Sequence, residues 1–272
     1  MPGEIRKPVV AGQFYPATGQ EIRKLIASFV IKEPSKKDVI ACVLPHAGYV
    51  YSGRVAVETV LSMKLKDTVV LIGPNHSGYG EEFSIMTEGA WQTPMGEVQV
   101  NSGLARQMAS SSPYLKEDTV AHRYEHSLEV ELPVLQYFRK SFDIVPLTIF
   151  PGELSVLKRI GEQIAEAIIA KRLKGSVIIA ASTDMTHYEP QDRVEKKDRI
   201  AIEAILALNE AGLFEGIARH GISMCGYAAV AVMLSAAKTL GATKGELIKY
   251  QTSAAASNDS SSVVGYAGMV IY

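Results

Sequence analysis

The stretch Val69 to Gly78, VVLIGPNHSG, decides how the chain is read. Its opening run of β-branched and apolar residues, closed by Gly-Pro-Asn, predicts a buried strand that stops at Gly73-Pro74. His76 then lies at the strand's carboxyl end, the edge of an open α/β sheet where ligands bind. The arrangement recurs twice. VIACVLPHAG places His46 after an apolar run, and SVIIAASTDMTH places Asp184 and His187 after another. Three strand ends that deliver imidazoles to one side of a sheet predict a functional site.

Outward from that stretch, strands alternate with helices. Thr18-Gly-Gln-Glu21 has the spacing of a capping box and opens a helix over about Gly19 to Val30. Strand Val39 to Leu44, a helix from about Gly53 to Met63 and the Val69 strand follow. Two short runs between Phe83 and Val100 read as an antiparallel excursion, and a helix starts near Ser102. Glu125 to Phe138 is amphipathic, with Pro133 predicting a kink or break. Then come strand Asp143 to Phe150, helix Leu154 to Ala170, strand Val177 to Ala181, and helices over Gln191 to Asn209, Leu213 to His220 and Ala228 to Leu240. Leu247 to Thr252 and Val263 to Tyr272 are terminal strands around the Ser-rich segment Ser253 to Ser262. The alternation predicts an α/β fold, one domain over 1–272, with a mostly parallel or mixed central sheet and helices on both faces.

Composition narrows the function. With 47% hydrophobic and 21% charged residues the chain can bury a full core, and its net charge of −1 carries no footprint for nucleic acid. No apolar run approaches the roughly 20 residues that span a bilayer, and the N-terminal residues lack a signal-peptide apolar region. Two cysteines, Cys42 and Cys225, are too few for a disulfide framework, so the expected compartment is the cytoplasm. Gly48 to Gly53 is no Walker loop, no GxGxxG follows a strand, and no GxSxG elbow is present, so no nucleotide cofactor is expected.

The chemistry-bearing residues are the histidines and one thiol. His46 and His76, in matching positions after what read as adjacent strands, suit metal ligation. Cys225, before the helix near Ala228, is either a third ligand, its thiolate favoured by the helix N-terminus, or an inert small hydrophobe. Cys42, mid-strand, reads as core. His187, with Asp184 three residues before it, suits an acid or base oriented by a carboxylate. His126, in Glu125-His-Ser127, either points into the same pocket or caps a helix. His220 reads as structural, and His122 has no assigned role.

Taken together, several motifs resemble the Memo family, whose archaeal and bacterial members are often labelled AmmeMemoRadiSam system protein B. They are Arg6-x-Pro-x-Val-x-Gly-x-Phe-Tyr-Pro16, Pro45-His-Ala-Gly-Tyr-x-Tyr-x-Gly53, Gly73-Pro-Asn-His76, Glu125-His-Ser-x-Glu129, Ser182-x-Asp-x-x-His187 and Cys225-Gly226. The resemblance covers essentially the whole chain. It implies a fold similar to class III extradiol dioxygenases, non-haem iron enzymes that cleave catechol rings. It places His46, His76 and Cys225 on metal-ligand positions, and Asp184 and His187 on other active-site positions, with His187 matching the acid/base histidine. It also implies association with AMMECR-type and radical SAM proteins. A divalent metal follows, Fe(II) first, with Zn or Cu also compatible with a thiolate ligand. Three functions then compete. One is a metal-dependent redox enzyme acting on a small phenolic substrate. Another is a non-catalytic metal- or peptide-binding module lined by Tyr49, Tyr51, Trp91 and Tyr188. The third is a zinc hydrolase.

Overall fold

A computed structural model describes residues 4–31 and 34–272. In chain order these form β1 (Ile5–Arg6), α1 (Gly19–Phe29), β2 (Ala41–Leu44), α2 (Tyr49–Leu61), β3 (Thr68–Pro74), β4 (Phe83–Ile85), β5 (Ala90–Thr93) and β6 (Gly96–Val100). Next are α3 (Ser102–Ser111), β7 (Lys116–Glu117), α4 (Val120–Arg123), α5 (Glu131–Phe138), β8 (Asp143–Ile149), α6 (Leu154–Ala170), β9 (Val177–Ser182) and β10 (His187–Glu189). The chain ends with α7 (Gln191–Leu206), α8 (Glu210–His220), α9 (Tyr227–Thr239), β11 (Gly245–Thr252), α10 (Ala254–Ser257) and β12 (Val263–Ile271). Among the described residues, no helix is long and apolar enough to cross a membrane.

All the strands join one mixed sheet, whose main path runs β1-β5-β6-β8-β3-β9-β2-β12-β10. The centre, β6-β8-β3-β9-β2, is parallel. The flanks are antiparallel: β12 against β2, with β10 and β11 against β12, and β5 against β6. β2, β3 and β9, the innermost parallel strands, are buried along their whole length, as expected of strands covered on both faces. On β12, Gly268 faces Thr59 of α2 while Gly265 faces Asp198 of α7, so those helices lie on opposite faces. α1, α2 and α5 pack together on the first face, and α3, α6, α8 and α9 on the second. The α/β class and the antiparallel excursion are as the sequence predicted, and the architecture agrees with an extradiol dioxygenase-like fold.

The order contains one correction that matters for the site. β2 and β3 are not neighbours, because β9 lies between them and hydrogen-bonds to both. A second correction concerns Glu125 to Phe138, where α5 begins only at Glu131. Residues 125–130 are irregular because their polar side chains are committed elsewhere; Glu125 Oε1, for instance, accepts the Ser127 N–H at 2.8 Å. Pro133 sits in the first turn of α5, where no intrahelical donor is missed, so it neither kinks nor breaks the helix. His220 is in the last turn of α8, which Gly221 closes at φ +59°, as the structural reading expected.

His122, unassigned from sequence, is core. Its Nε2 lies 3.0 Å from Ser84 Oγ and its ring packs edge-on to Trp91. Burial pushes the imidazole down to about 4. A histidine that stays neutral in the fold but protonates near 6.5 when unfolded contributes stability above that pH and loses it as pH falls towards 4. The loss amounts to about 3 kcal/mol across that window. Urea titrations from pH 7 to pH 4 should therefore show a shallower decline for His122→Asn than for the wild type; parallel declines would contradict this.

Candidate metal centre and its cleft

The order β3-β9-β2 sets three strand ends side by side, and each is followed two residues later by a polar group. His76 follows Pro74 of β3, Asp184 follows Ser182 of β9, and His46 follows Leu44 of β2. The strand-end reading therefore holds for His46 and His76, whereas β9 contributes Asp184 at the middle position and His187 begins β10.

Hydrogen bonding decides which nitrogen each imidazole presents. His46 is buried, and its Nδ1 lies 2.8 Å from Ser182 Oγ. The single Ser182 hydroxyl proton goes to Ser127 O, which can only accept, at 2.8 Å, so towards His46 the hydroxyl accepts; Glu131 Oε1 is its other neighbour, also at 2.8 Å. His46 then carries its proton on Nδ1 and leaves Nε2 bare. Burial, with the neighbouring imidazoles of His126 and His76, holds its pKa well below the usual histidine range. Glu131 is itself buried, its Oε2 lacks a partner, and burial raises its carboxyl well above the ordinary range.

His76 is oriented in the same way by a different group. Its Nδ1 lies 3.0 Å from Oε1 of the fully buried Glu125, which also accepts the His76 backbone N–H. Burial works against a charged Glu125, but the hydrogen bonds from His76 and Ser127 prevail and hold it down at about 2. Burial likewise opposes a charged His76, while hydrogen bonds with Cys225 and Glu125 push it up to about 10. An imidazole whose Nδ1–H is held by a carboxylate or carbonyl is the arrangement that aims Nε2 at a metal.

His126 joins them. Its ring stacks on His76 with centroids 4.8 Å apart and meets His46 edge-on at 5.5 Å. Ring nitrogens of His46, His76 and His126 lie within 4.8 Å of one another, a cluster that can hold a divalent cation. Of the two readings of His126, the pocket is the one the geometry adopts. Cys225 is at the same place: Sγ lies 3.4 Å from His46 Nε2 and accepts the Asp184 N–H at 3.3 Å. Gly226 permits this approach, since a Cβ there would come within 2.4 Å of Ser182 O.

Asp184 has a different task from the one expected. Its carboxyl accepts the backbone N–H groups of His46, at 3.0 Å, and of Ala47. Burial pushes it up to about 7, these hydrogen bonds notwithstanding. It braces the His46 loop and does not orient His187. His187 is held by Ser223 instead, with its N–H on Ser223 Oγ and its Nδ1 on Ser223 O, each at 2.8 Å. A carbonyl only accepts, so Nδ1 is the protonated nitrogen and Nε2 is bare.

His46, His76, His126, Asp184 and His187 all line one cleft of about 550 Å³. Tyr51 and Tyr188 are on its wall, as expected of a recognition surface. Tyr49 and Trp91 are not, because both are core: Tyr49 donates to Val130 O at 2.7 Å and Trp91 lies under the Arg6 guanidinium. A second cavity of about 560 Å³, near Phe29 and Glu246, holds none of these groups.

The profile of the Memo-like protein family matches residues 6–270. The chain belongs to the Memo family. It is 43% identical to a MEMO1 family protein of Methanopyrus kandleri over 97% of this chain and 98% of that one. It is 40% identical to a MEMO1 family protein of Aquifex aeolicus, covering 98% of each. Among solved structures it is similar to an uncharacterized protein from Escherichia coli K12, with TM-score 0.57 over 85% of this chain and 98% of that one. At 13% identity that likeness speaks for the fold alone.

Sequence reasoning on this Memo chain missed the carboxylates behind the imidazoles. The available signal was Glu125, Glu129 and Glu131 at odd positions in an otherwise apolar run, since an acid buried among Leu and Val must have a partner. Glu125 is the most consequential for the site. Glu125→Ala should lower metal affinity about 10- to 100-fold by freeing the His76 ring, read out by competition with a chromophoric chelator. An unchanged affinity would remove Glu125 from the orienting role.

Proposed function

We propose that this Memo-family chain is a divalent-metal oxidoreductase acting on a small phenolic substrate, with Fe(II) the first choice of metal. His46, His76 and Cys225 hold the metal, and His126 stands beside them as the neighbouring donor. The carrying observation is that the Nδ1 atoms of His46 and His76 are engaged by Ser182 and Glu125, which leaves their Nε2 atoms to face one region, with His46 Nε2 next to Cys225 Sγ. Two imidazoles and a thiolate fit borderline-soft ions such as Fe(II), Zn(II) or Cu(I). A redox-active ion there would supply Lewis acidity towards a phenolic oxygen and a route for electrons from the substrate to O₂.

The protein's own groups supply the rest. Asp184 fixes the His46 loop, and the cleft that takes the ring is lined by the imidazoles and Tyr51. His187 receives a phenolic proton on Nε2, while Ser223 O keeps the Nδ1 proton and steadies the imidazolium that forms. Oxygen uptake by anaerobically iron-loaded protein, mixed with a panel of catechols, tests the reading. Consumption of O₂ with at least one catechol is expected, and no consumption with any of them would overturn it. A zinc hydrolase uses the same ligands and gains ground if the protein retains zinc in preference to iron. A recognition module is favoured by one feature, the 77% exposure of Tyr188 at the cleft mouth. Saturable partner binding that survives His187→Ala, without turnover, would support that module.

A further inference from the structure

The cleft has a charge pattern that the metal centre does not use. Its inner end holds the imidazoles, but no Lys or Arg lines it among the described residues. At the outer end it is lined by Ser257, the last residue of α10, and by Asp259 and Ser262 from the segment between α10 and β12. Asp259 Oδ1 accepts the Ser261 N–H at 2.8 Å and the Ser261 hydroxyl at 2.7 Å, two bonds that favour the ionised carboxylate. Oδ2 has no protein partner, and Asp259 is in no ion pair, among the described residues. Asn258, at φ +57°, makes the turn that presents it. Tyr51 and Tyr188 line the same cleft, and both are exposed.

We infer that the cleft selects an aromatic ligand carrying an ammonium group, seated on Asp259 and the tyrosines, and discriminates against ligands ending in carboxylate or phosphate. The inference rests on the proposed function for the inner end, where the phenolic oxygens would meet the metal. At the outer end an anionic tail would meet an unpaired carboxylate with no cation to offset it, whereas an ammonium tail gains both the ion pair and the tyrosine faces.

Binding of three catechols that differ only in a two-carbon arm tests it: one ending in ammonium, one in carboxylate and one in methyl. They are titrated calorimetrically into iron-loaded, oxygen-free full-length protein, wild type and Asp259→Asn. In the wild type the ammonium ligand should bind about tenfold more tightly than the carboxylate ligand, with the methyl ligand between them. Added salt should shrink the gap. Asp259→Asn should abolish the preference and leave the methyl ligand's affinity unchanged. Equal binding of all three, a preference for carboxylate, or a preference that survives Asp259→Asn each overturns this inference while leaving the proposed function standing. Failure of all three to bind overturns both.

Discussion

Glu129→Ala is expected to lose about 3–5 kcal/mol of stability, seen as a large drop in the urea midpoint at unchanged slope. Glu129 is fully buried and forms an ion pair with Arg6, itself only 6% exposed. It also accepts the Tyr15 hydroxyl at 2.6 Å and the backbone N–H groups of Val9, at 2.9 Å, and Val10, at 3.1 Å. Truncation would strand a guanidinium in the core and leave those donors unpaired at once. Arg6 in turn donates to His122 O and Glu125 O, so the damage would reach the segment that carries His126. Tyr15→Phe, which removes one donor and keeps the ring, should cost only about 1 kcal/mol. A Glu129→Ala midpoint close to that of Tyr15→Phe would contradict the ion-pair account.

His187→Ala should reduce turnover about 10²- to 10⁴-fold while leaving metal content unchanged. The separation follows from geometry. His187 is anchored to Ser223 and faces the cleft, whereas the convergent nitrogens are those of His46, His76 and His126. Substrate binding should be preserved, and the lost rate should recover in part with added imidazole, which can take up the same proton. Loss of metal from His187→Ala would move this residue into the ligand set. Retention of full turnover would leave the proton without an acceptor and the proposed role would fall.

The strand-end logic was legible because burial and β-branching mark parallel strands strongly, and the break after each of them carries the chemistry. His46, His76 and Asp184 were found on that signal alone. What periodicity does not encode is strand order, so the insertion of β9 between β2 and β3, which brings Ser182 onto His46, was out of reach. Glu125 to Val130 looked helical because Leu128 and Leu132 keep helical spacing. Tertiary bonds from Glu125, Ser127 and Glu129 override that spacing, and only the three-dimensional partners reveal it. Asp184 and His187 are three residues apart in sequence and invited pairing, yet each found a backbone partner elsewhere. The Arg6 to Pro16 motif, opaque in sequence, proves to be largely the set of groups that satisfies Glu129.

The central claim is that His46, His76 and Cys225 form a metal centre. Its most direct test is elemental analysis of protein purified without oxygen, comparing the wild type with His46→Ala and Cys225→Ala. The expected result is close to one iron per wild-type chain and loss of that iron in both variants. Metal-free wild-type protein, or variants that retain as much metal as the wild type, would contradict it.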